Sequence, residues 1–291
     1  MKRSKGYTAK IMSDLKGKTV LITGATAGIG YETALGVAKL GAHVVLVGRN
    51  PEKTKRVCDE LKAATGNQQI DFLLADLSLL ADVRKVAAEF LSRFGILHVL
   101  INNVGAINLK REVTKEGHEL TFAMNHLGLF LLSELLTPAL QKGAPSRIIV
   151  LSSDAHRASG LDFDDLQSER GYSSFRAYAR SKLMNLLFTR ELSRRLADQK
   201  ITVNAVHPGM VASNFMAKPG VMGKIANGFV SIFGLSPEAG ARTSVYLASS
   251  PDVEGVTGKY FVKSKARTPS RAAQDDEAAK RLWEISAKLT R

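Results

Sequence analysis

The 291-residue sequence predicts an α/β fold in a single domain, a doubly wound parallel seven-stranded sheet flanked by helices. Three observations predict it. From residue 19 onward short β-branched runs alternate with longer stretches of helical spacing, and that alternation implies right-handed βαβ crossovers. The runs are almost continuously apolar, as strands covered on both faces must be. No repeat, low-complexity tract or linker divides the chain. The strands read as TVLIT (19–23), HVVLVG (43–48), IDFLLAD (70–76), HVLINN (98–103), RIIVLSS (147–153), ITVNAV (201–206) and GKYFV (258–262). Between them, segments such as IGYETALGVAKL and LADVRKVAAEFLSRF carry the helical pattern.

Residues 1–17 read as a basic N-terminal tail, 18–264 as the domain and 265–291 as a C-terminal extension with a helix. SNFMAKPGVMGKIANGFVSIFGL (213–235) breaks the β/α rhythm with Phe215, Met216, Val221, Met222, Ile225, Phe229 and Phe233 set among glycines. It reads either as surface helices packed on the core or as an apolar lid over a substrate pocket.

The formal charge of +14 sits mainly at the ends, +5 on residues 1–18 and +5 on 259–291, with +4 on the 240 residues between. Basic ends on a nearly balanced body read as solvated tails, with weak peripheral contact to an anionic membrane as the lesser reading. A nucleic-acid binder would carry its charge as a stripe on the folded body. The single cysteine, Cys58, excludes an internal disulfide and a multi-cysteine zinc site, and no His-x-x-x-His pair is present, so no metal is expected. Residues 1–18 lack an apolar core of signal-peptide length. The most apolar run, HLGLFLLSELL (126–136), is shorter than a bilayer span, so no transmembrane segment is expected. A cytoplasmic protein is the default.

TGATAGIG (23–30) follows the first strand and opens the first helix, a Rossmann-type arrangement. Gly24 permits the tight turn, Gly28 lets the backbone approach a phosphate, and Gly30 lets helix and strand pack closely. The pyrophosphate of a dinucleotide would lie on the N–H groups of the turn and helix start, with Thr26 and Ile29 beside it. VLVGRN ends the second strand without the acidic residue that holds a ribose 2′-hydroxyl. Arg49, followed by Asn50, stands where a guanidinium pairs with a 2′-phosphate, which predicts NADP(H) over NAD(H). Asp76 and Leu77 in ADL (75–77), and Asn102, Val104 and Gly105 in NNVG (102–105), fall at neighbouring strand ends, where open α/β sheets bind ligands. Each also suits an ordinary loop.

Six tyrosines stand at 7, 31, 172, 178, 246 and 260, and only Tyr178 has a lysine, Lys182, four residues later. On a helix that spacing puts both side chains on one face. A cation close beneath a phenol lowers its pKa from about 10 toward the neutral range, where it can exchange a proton with an alcohol or carbonyl. SSDAH (152–156) offers Ser, Asp and His too close together for a hydrolytic triad, and no Gly-x-Ser-x-Gly elbow exists. His126, His156 and His207 read as structural.

The glycine turn, NNVG, Asn125 in AMNHLG, Ser153 ending the fifth strand, Tyr178 and Lys182 follow one another in an order that resembles the short-chain dehydrogenase/reductase family over about 18–262. The resemblance implies Tyr178 as the acid or base at the substrate oxygen. It implies Lys182 as the group that tunes Tyr178 and holds the nicotinamide ribose, and Ser153 as a hydrogen-bond partner of the substrate oxygen. Asn125 would hold a water relay to Lys182. HPGMV (207–211) resembles the family's Pro-Gly segment, with Pro208, Gly209, Val211 and Ser213 near the carboxamide, Ser213 standing where the family usually has Thr. The long insert between Ser153 and Tyr178, and the ending GKYFVKSKARTPS, resemble the retinol-dehydrogenase-like branch. That implies NADP(H) and an apolar alcohol, aldehyde or ketone substrate, and leaves homo-oligomers open. A non-catalytic NADP-binding regulator on the same scaffold is the rival reading; a sensor would not need the Asn, Ser, Tyr and Lys set.

Overall fold

Strand runs with apolar side chains on both faces have to be covered on both faces, and the computed structural model, which describes residues 12–209 and 235–291, shows how. The strands are β1 (Thr19–Thr23), β2 (His43–Gly48), β3 (Ile70–Leu74), β4 (Val99–Asn102), β5 (Ser146–Leu151), β6 (Ile201–His207), β7 (Tyr260–Val262) and β8 (Lys265–Arg267). They form one sheet in the order β3-β2-β1-β4-β5-β6-β7-β8. All neighbours are parallel except β7 and β8. The order reverses beside β1, and that switch point opens a crevice at the carboxyl ends of β1 and β4.

The eighth strand corrects the expected count of seven. β7 and β8 are joined by Lys263 and Ser264, both in the left-handed region (φ 50° and 56°), with Val262 facing Lys265. Two positive φ values in a two-residue loop make a tight hairpin. Lys-Ser lacks the Asn-Gly or Asp-Gly character that announces such a turn. β3, β4 and β5 also stop short of the runs read in the sequence, leaving residues 75–76, 103 and 152–153 as loop beyond the carboxyl ends of the strands.

Helices α1 (Gly28–Lys39) and α2 (Pro51–Thr65) cover one face, with α7 (Pro237–Ser249). On the other lie α3 (Leu80–Arg93), α5 (Gly128–Lys142), α6 (Ser174–Arg195) and α8 (Asp276–Leu289). Local signals set their ends: Asn50 caps α2 through Lys53 N, Pro51 occupies its first turn, and Gly66 closes it at φ 71°. A short α4 (Leu120–Phe122) runs through a π turn (Ala123–Leu127) into α5. This continuous helix, Leu120–Lys142, is long and apolar enough by length and composition to cross a membrane, in contrast to the shorter run read from sequence. In the fold 72% of its apolar window is buried within the protein.

The expectation of two solvated ends is overturned at the C-terminus. Trp283 of α8 stacks on Phe188 (5.9 Å between ring centroids) and meets Phe130 edge-on (4.8 Å). The Arg195 guanidinium lies over its ring at 4.3 Å, and Arg190 and Arg194 pair with Asp276. Residues 265–291 are therefore anchored to the domain, with Ala273, Ala279, Leu282 and Trp283 in its core. Part of the N-terminal segment is fixed as well: Leu15 is buried, Leu15 N donates to Leu40 O at 2.7 Å, and Ser13 N donates to Ser249 O at 3.2 Å.

Candidate active site

α6 begins at Ser173, whose hydroxyl caps it through Arg176 N. Its helical period turns Tyr178, Lys182 and Asn185 toward the end of β5. Lys182 is 3% exposed, and its Nζ donates to Leu151 O at 3.2 Å. Asn185, which the sequence reading missed, donates to the same carbonyl at 3.1 Å. Lys182 Nζ stands 5.5 Å from the centre of the Tyr178 ring. Ser153 hydrogen-bonds Tyr178, while the neighbouring Ser152 turns inward and donates to Lys182 O at 2.7 Å. Ser153 lies beyond the strand that was expected to end on it, and caps a 3-10 turn, Asp154–Ala158, by accepting from Ala155 N at 3.2 Å.

The expected lowering of the phenol pKa is not what this arrangement produces. Burial pushes Tyr178 up to about 12, against the opposing effect of the Ser153 hydrogen bond. Burial also pushes Lys182 down to about 8. Each charged form has left water, so burial raises the phenol and lowers the amine. The other tyrosine of the segment is structural: Tyr172 donates its hydroxyl to Asn108 O at 2.7 Å and lies 3.2 Å from Thr121 Oγ1.

Asn125 sits in the π turn, fully buried. Its Oδ1 accepts from Ala106 N (2.9 Å), and its Nδ2 donates to Ala106 O (2.9 Å) and to Ser181 Oγ (3.0 Å). The side chain therefore clamps the loop after β4 to the helix bearing Lys182. π turns recur at functional sites because they re-aim side chains in this way.

The opposite wall is the glycine turn. Gly24 has φ 66°, and a Cβ there would stand 2.9 Å from Val104 Cγ2. A Cβ on Gly30 would collide with the carbonyl of Gly24 and stand 2.6 Å from Asn103 Nδ2. Asn103 braces the turn, donating from Nδ2 to Thr23 O (2.9 Å) and Gly24 O (3.2 Å). No side chain caps the start of α1 at Ala27, and Gly28, Ile29 and Gly30 of its first turn line the crevice. Thr26 packs its methyl against Gly48 at the end of β2. The two walls enclose a cavity of about 520 Å³ lined by Gly28, Ile29, Val104, Tyr178, Lys182 and Pro208 among others. A Cβ on Gly105 would approach Lys182 Nζ to 2.8 Å.

Arg49, Asn50, Asp76, Leu77 and Asn102 are not part of that cavity's lining. Asn102 is the last residue of β4, buried, with Nδ2 donating to Ser133 Oγ at 2.9 Å. Strand alternation sends Asn102 into the core and Asn103 to the crevice, which corrects the choice between the two. Leu77 is likewise buried, and Asn50 is the α2 cap. Asp76 Oδ1 accepts from Ser78 N (3.0 Å) and Ser78 Oγ (2.7 Å), and its Oδ2 faces Arg49 Nη1 at 3.4 Å. Burial opposes its ionisation, but the Ser78 hydrogen bonds and the Arg49 charge outweigh it and hold the carboxyl below its ordinary range. Arg49 itself, just past the end of β2, is 71% exposed. Gly209 follows β6 at φ 92°. Val211, Ser213 and the expected lid, apart from Leu235, lie outside the described residues.

A short chain dehydrogenase family model matches residues 18–220. The chain is 41% identical over 281 residues to human retinol dehydrogenase 13, spanning 94% of this chain and 85% of that protein. It is 40% identical over 288 residues to human retinol dehydrogenase 14, spanning 94% and 86%. Among solved structures, an uncharacterized protein from Mycobacterium paratuberculosis superposes with a TM-score of 0.78 at 30% identity, covering 98% of each chain. Sequence, fold and side-chain constellation agree: the chain belongs to the short-chain dehydrogenase family, as an oxidoreductase of retinol-dehydrogenase-like type.

Proposed function

We propose that the protein transfers hydride between NADP(H) and an apolar alcohol, aldehyde or ketone, with Tyr178 as the acid or base. The observation that carries this reading is the meeting of the Ser153 hydroxyl with the Tyr178 phenol beside the buried Lys182 amine, at the mouth of the glycine-walled cavity. The cavity suits a dinucleotide because backbone stands where side chains would block it: Gly24 and Gly30 admit none, and the start of α1 carries no side-chain cap. Bound there, NADP(H) supplies or accepts the hydride.

The chain's own groups manage the proton. Carbonyl reduction builds negative charge on the substrate oxygen. An alkoxide is a stronger base than a phenolate, so the proton passes from Tyr178 even with its pKa raised. Ser153 donates to the same oxygen and stabilises the developing charge. Lys182 gives one of its N–H donors to Leu151 O, and the others serve the ribose hydroxyls. A pKa near 8 lets it return a proton to the phenolate at ordinary pH. Arg49, loosely paired with Asp76 and largely exposed, is the 2′-phosphate partner. The names of the relatives point to retinol, an apolar alcohol, as the substrate class.

The test is NADPH and NADH oxidation with all-trans-retinal, decanal and benzaldehyde. Turnover is expected with NADPH at the lower KM, and is expected to fall about 10³-fold in Tyr178→Phe. A protein that binds NADPH but turns over none of the three would be a regulator on this scaffold.

A further inference from the structure

His156 is fully buried in the turn that follows Ser153. Its Nε2 lies 3.0 Å from the backbone nitrogen of Ser270, which can only donate, so Nε2 keeps its lone pair. The ring proton is therefore on Nδ1, which donates to the carbonyl of Ser153 at 2.6 Å. Burial pushes the ring below its ordinary pKa, and the neutral form is the one this geometry needs. The residues on either side repeat the connection. Tyr260 donates its hydroxyl to Asp154 Oδ1 at 2.9 Å, and Arg157 Nη2 donates to Thr268 O at 2.9 Å. The same turn is tied to the end of β6: Asp154 N donates to His207 Nδ1 at 3.3 Å, and His207 Nε2 faces Asp154 Oδ2 at 3.4 Å. Asp154, His156 and Arg157, three of the four residues after Ser153, thus grip the segment 260–270.

We infer that this segment, through His156, is a positioning element for Ser153: it fixes where the hydroxyl stands relative to Tyr178. The inference rests on Ser153 acting as the donor to the substrate oxygen. Such a donor works only at the right distance, and a misplacement of about 1 Å costs on the order of 10²-fold in rate. Without the strut, Ser153 would be held by its cap on a 3-10 turn, a weakly bonded element.

Ser270→Pro breaks the strut: it removes the donated N–H at a residue whose φ is already −63°, and its ring carbon, standing where that hydrogen was, pushes the His156 ring away. His156→Asn keeps a donor for Ser153 O, and His156→Ala keeps nothing. With NADPH and the best-reduced of the three aldehydes, kcat should fall about tenfold in Ser270→Pro and about 10²-fold in His156→Ala. His156→Asn should recover much of that loss, with KM for NADPH within about twofold throughout. In a Ser153→Ala background, His156→Ala should cost nothing further, since its effect runs through the missing hydroxyl. An equal loss in both backgrounds, or a lower Tm with kcat unchanged, overturns the positioning role. If Ser153→Ala alone leaves kcat intact, the assignment of Ser153 itself fails instead.

Discussion

At the glycine wall of the cavity, shape comes from backbone meeting backbone: the Gly24 carbonyl stands where a Cβ on Gly30 would go, and Asn103 holds both in place. At the tyrosine wall, shape comes from buried polar side chains, each secured by a partner far away in the chain. Asn125 clamps Ala106 and Ser181, and Lys182 and Asn185 share Leu151 O. The first wall can bind but has nothing to titrate; the second has shifted pKa values and little backbone to offer a ligand. Damage to the first should therefore appear in affinity and damage to the second in rate.

The largest expected effect is on the tyrosine wall. Tyr178→Phe should lower kcat by about 10³-fold and leave NADPH affinity within about twofold. A parallel loss of affinity would show that the two walls are not separable. Next comes the electrostatic cost of Lys182. Its folded pKa near 8 lies below the ordinary 10.5, so the folded protein holds fewer protons than the unfolded chain in that interval. Stability attributable to this residue therefore rises with pH between about 8 and 10.5, on the order of 3 kcal/mol in total. Lys182→Met should exceed wild type in urea-unfolding free energy at pH 7 and lose that lead by pH 10. A lead independent of pH would mean the amine is solvated.

The glycine wall should respond in the other currency. Gly30→Ala should cost about 1–3 kcal/mol in stability, because the obstruction is a carbonyl and not a flexible side chain. It should also weaken NADPH binding by calorimetry more than it lowers kcat at saturation. The smallest effect is beyond the end of β2: Arg49→Ala should raise KM for NADPH about tenfold, an exposed charge being partly screened, and leave NADH unchanged. Equal changes for both cofactors would remove Arg49 from 2′-phosphate recognition.

Much of the fold was legible because parallel strands and their crossovers leave period signals in the chain. β1 and β2 match the runs read from residues 19–23 and 43–48. β8 was not legible, because Lys263 and Ser264 adopt left-handed conformations that their side chains do not advertise. The C-terminal extension was misread for a related reason: its charge is visible in composition, but the pairing of Asp276 with Arg190 and Arg194 and the stacking of Trp283 are long-range. Asn103 could have been preferred to Asn102 from strand alternation alone, and Asn185 from its place on the helix face of Tyr178 and Lys182.

By itself the sequence determined the class of fold, the glycine turn between β1 and α1 and the pairing of Tyr178 with Lys182, because each depends on spacing along one strand, turn or helix. Only the tertiary structure decided that Ser153 and not Ser152 reaches the phenol, that burial outweighs the Ser153 hydrogen bond in setting the tyrosine's pKa, and that His156 links Ser153 to Ser270. Those outcomes depend on desolvation and on contacts between segments distant in the chain, and neither is encoded in local spacing.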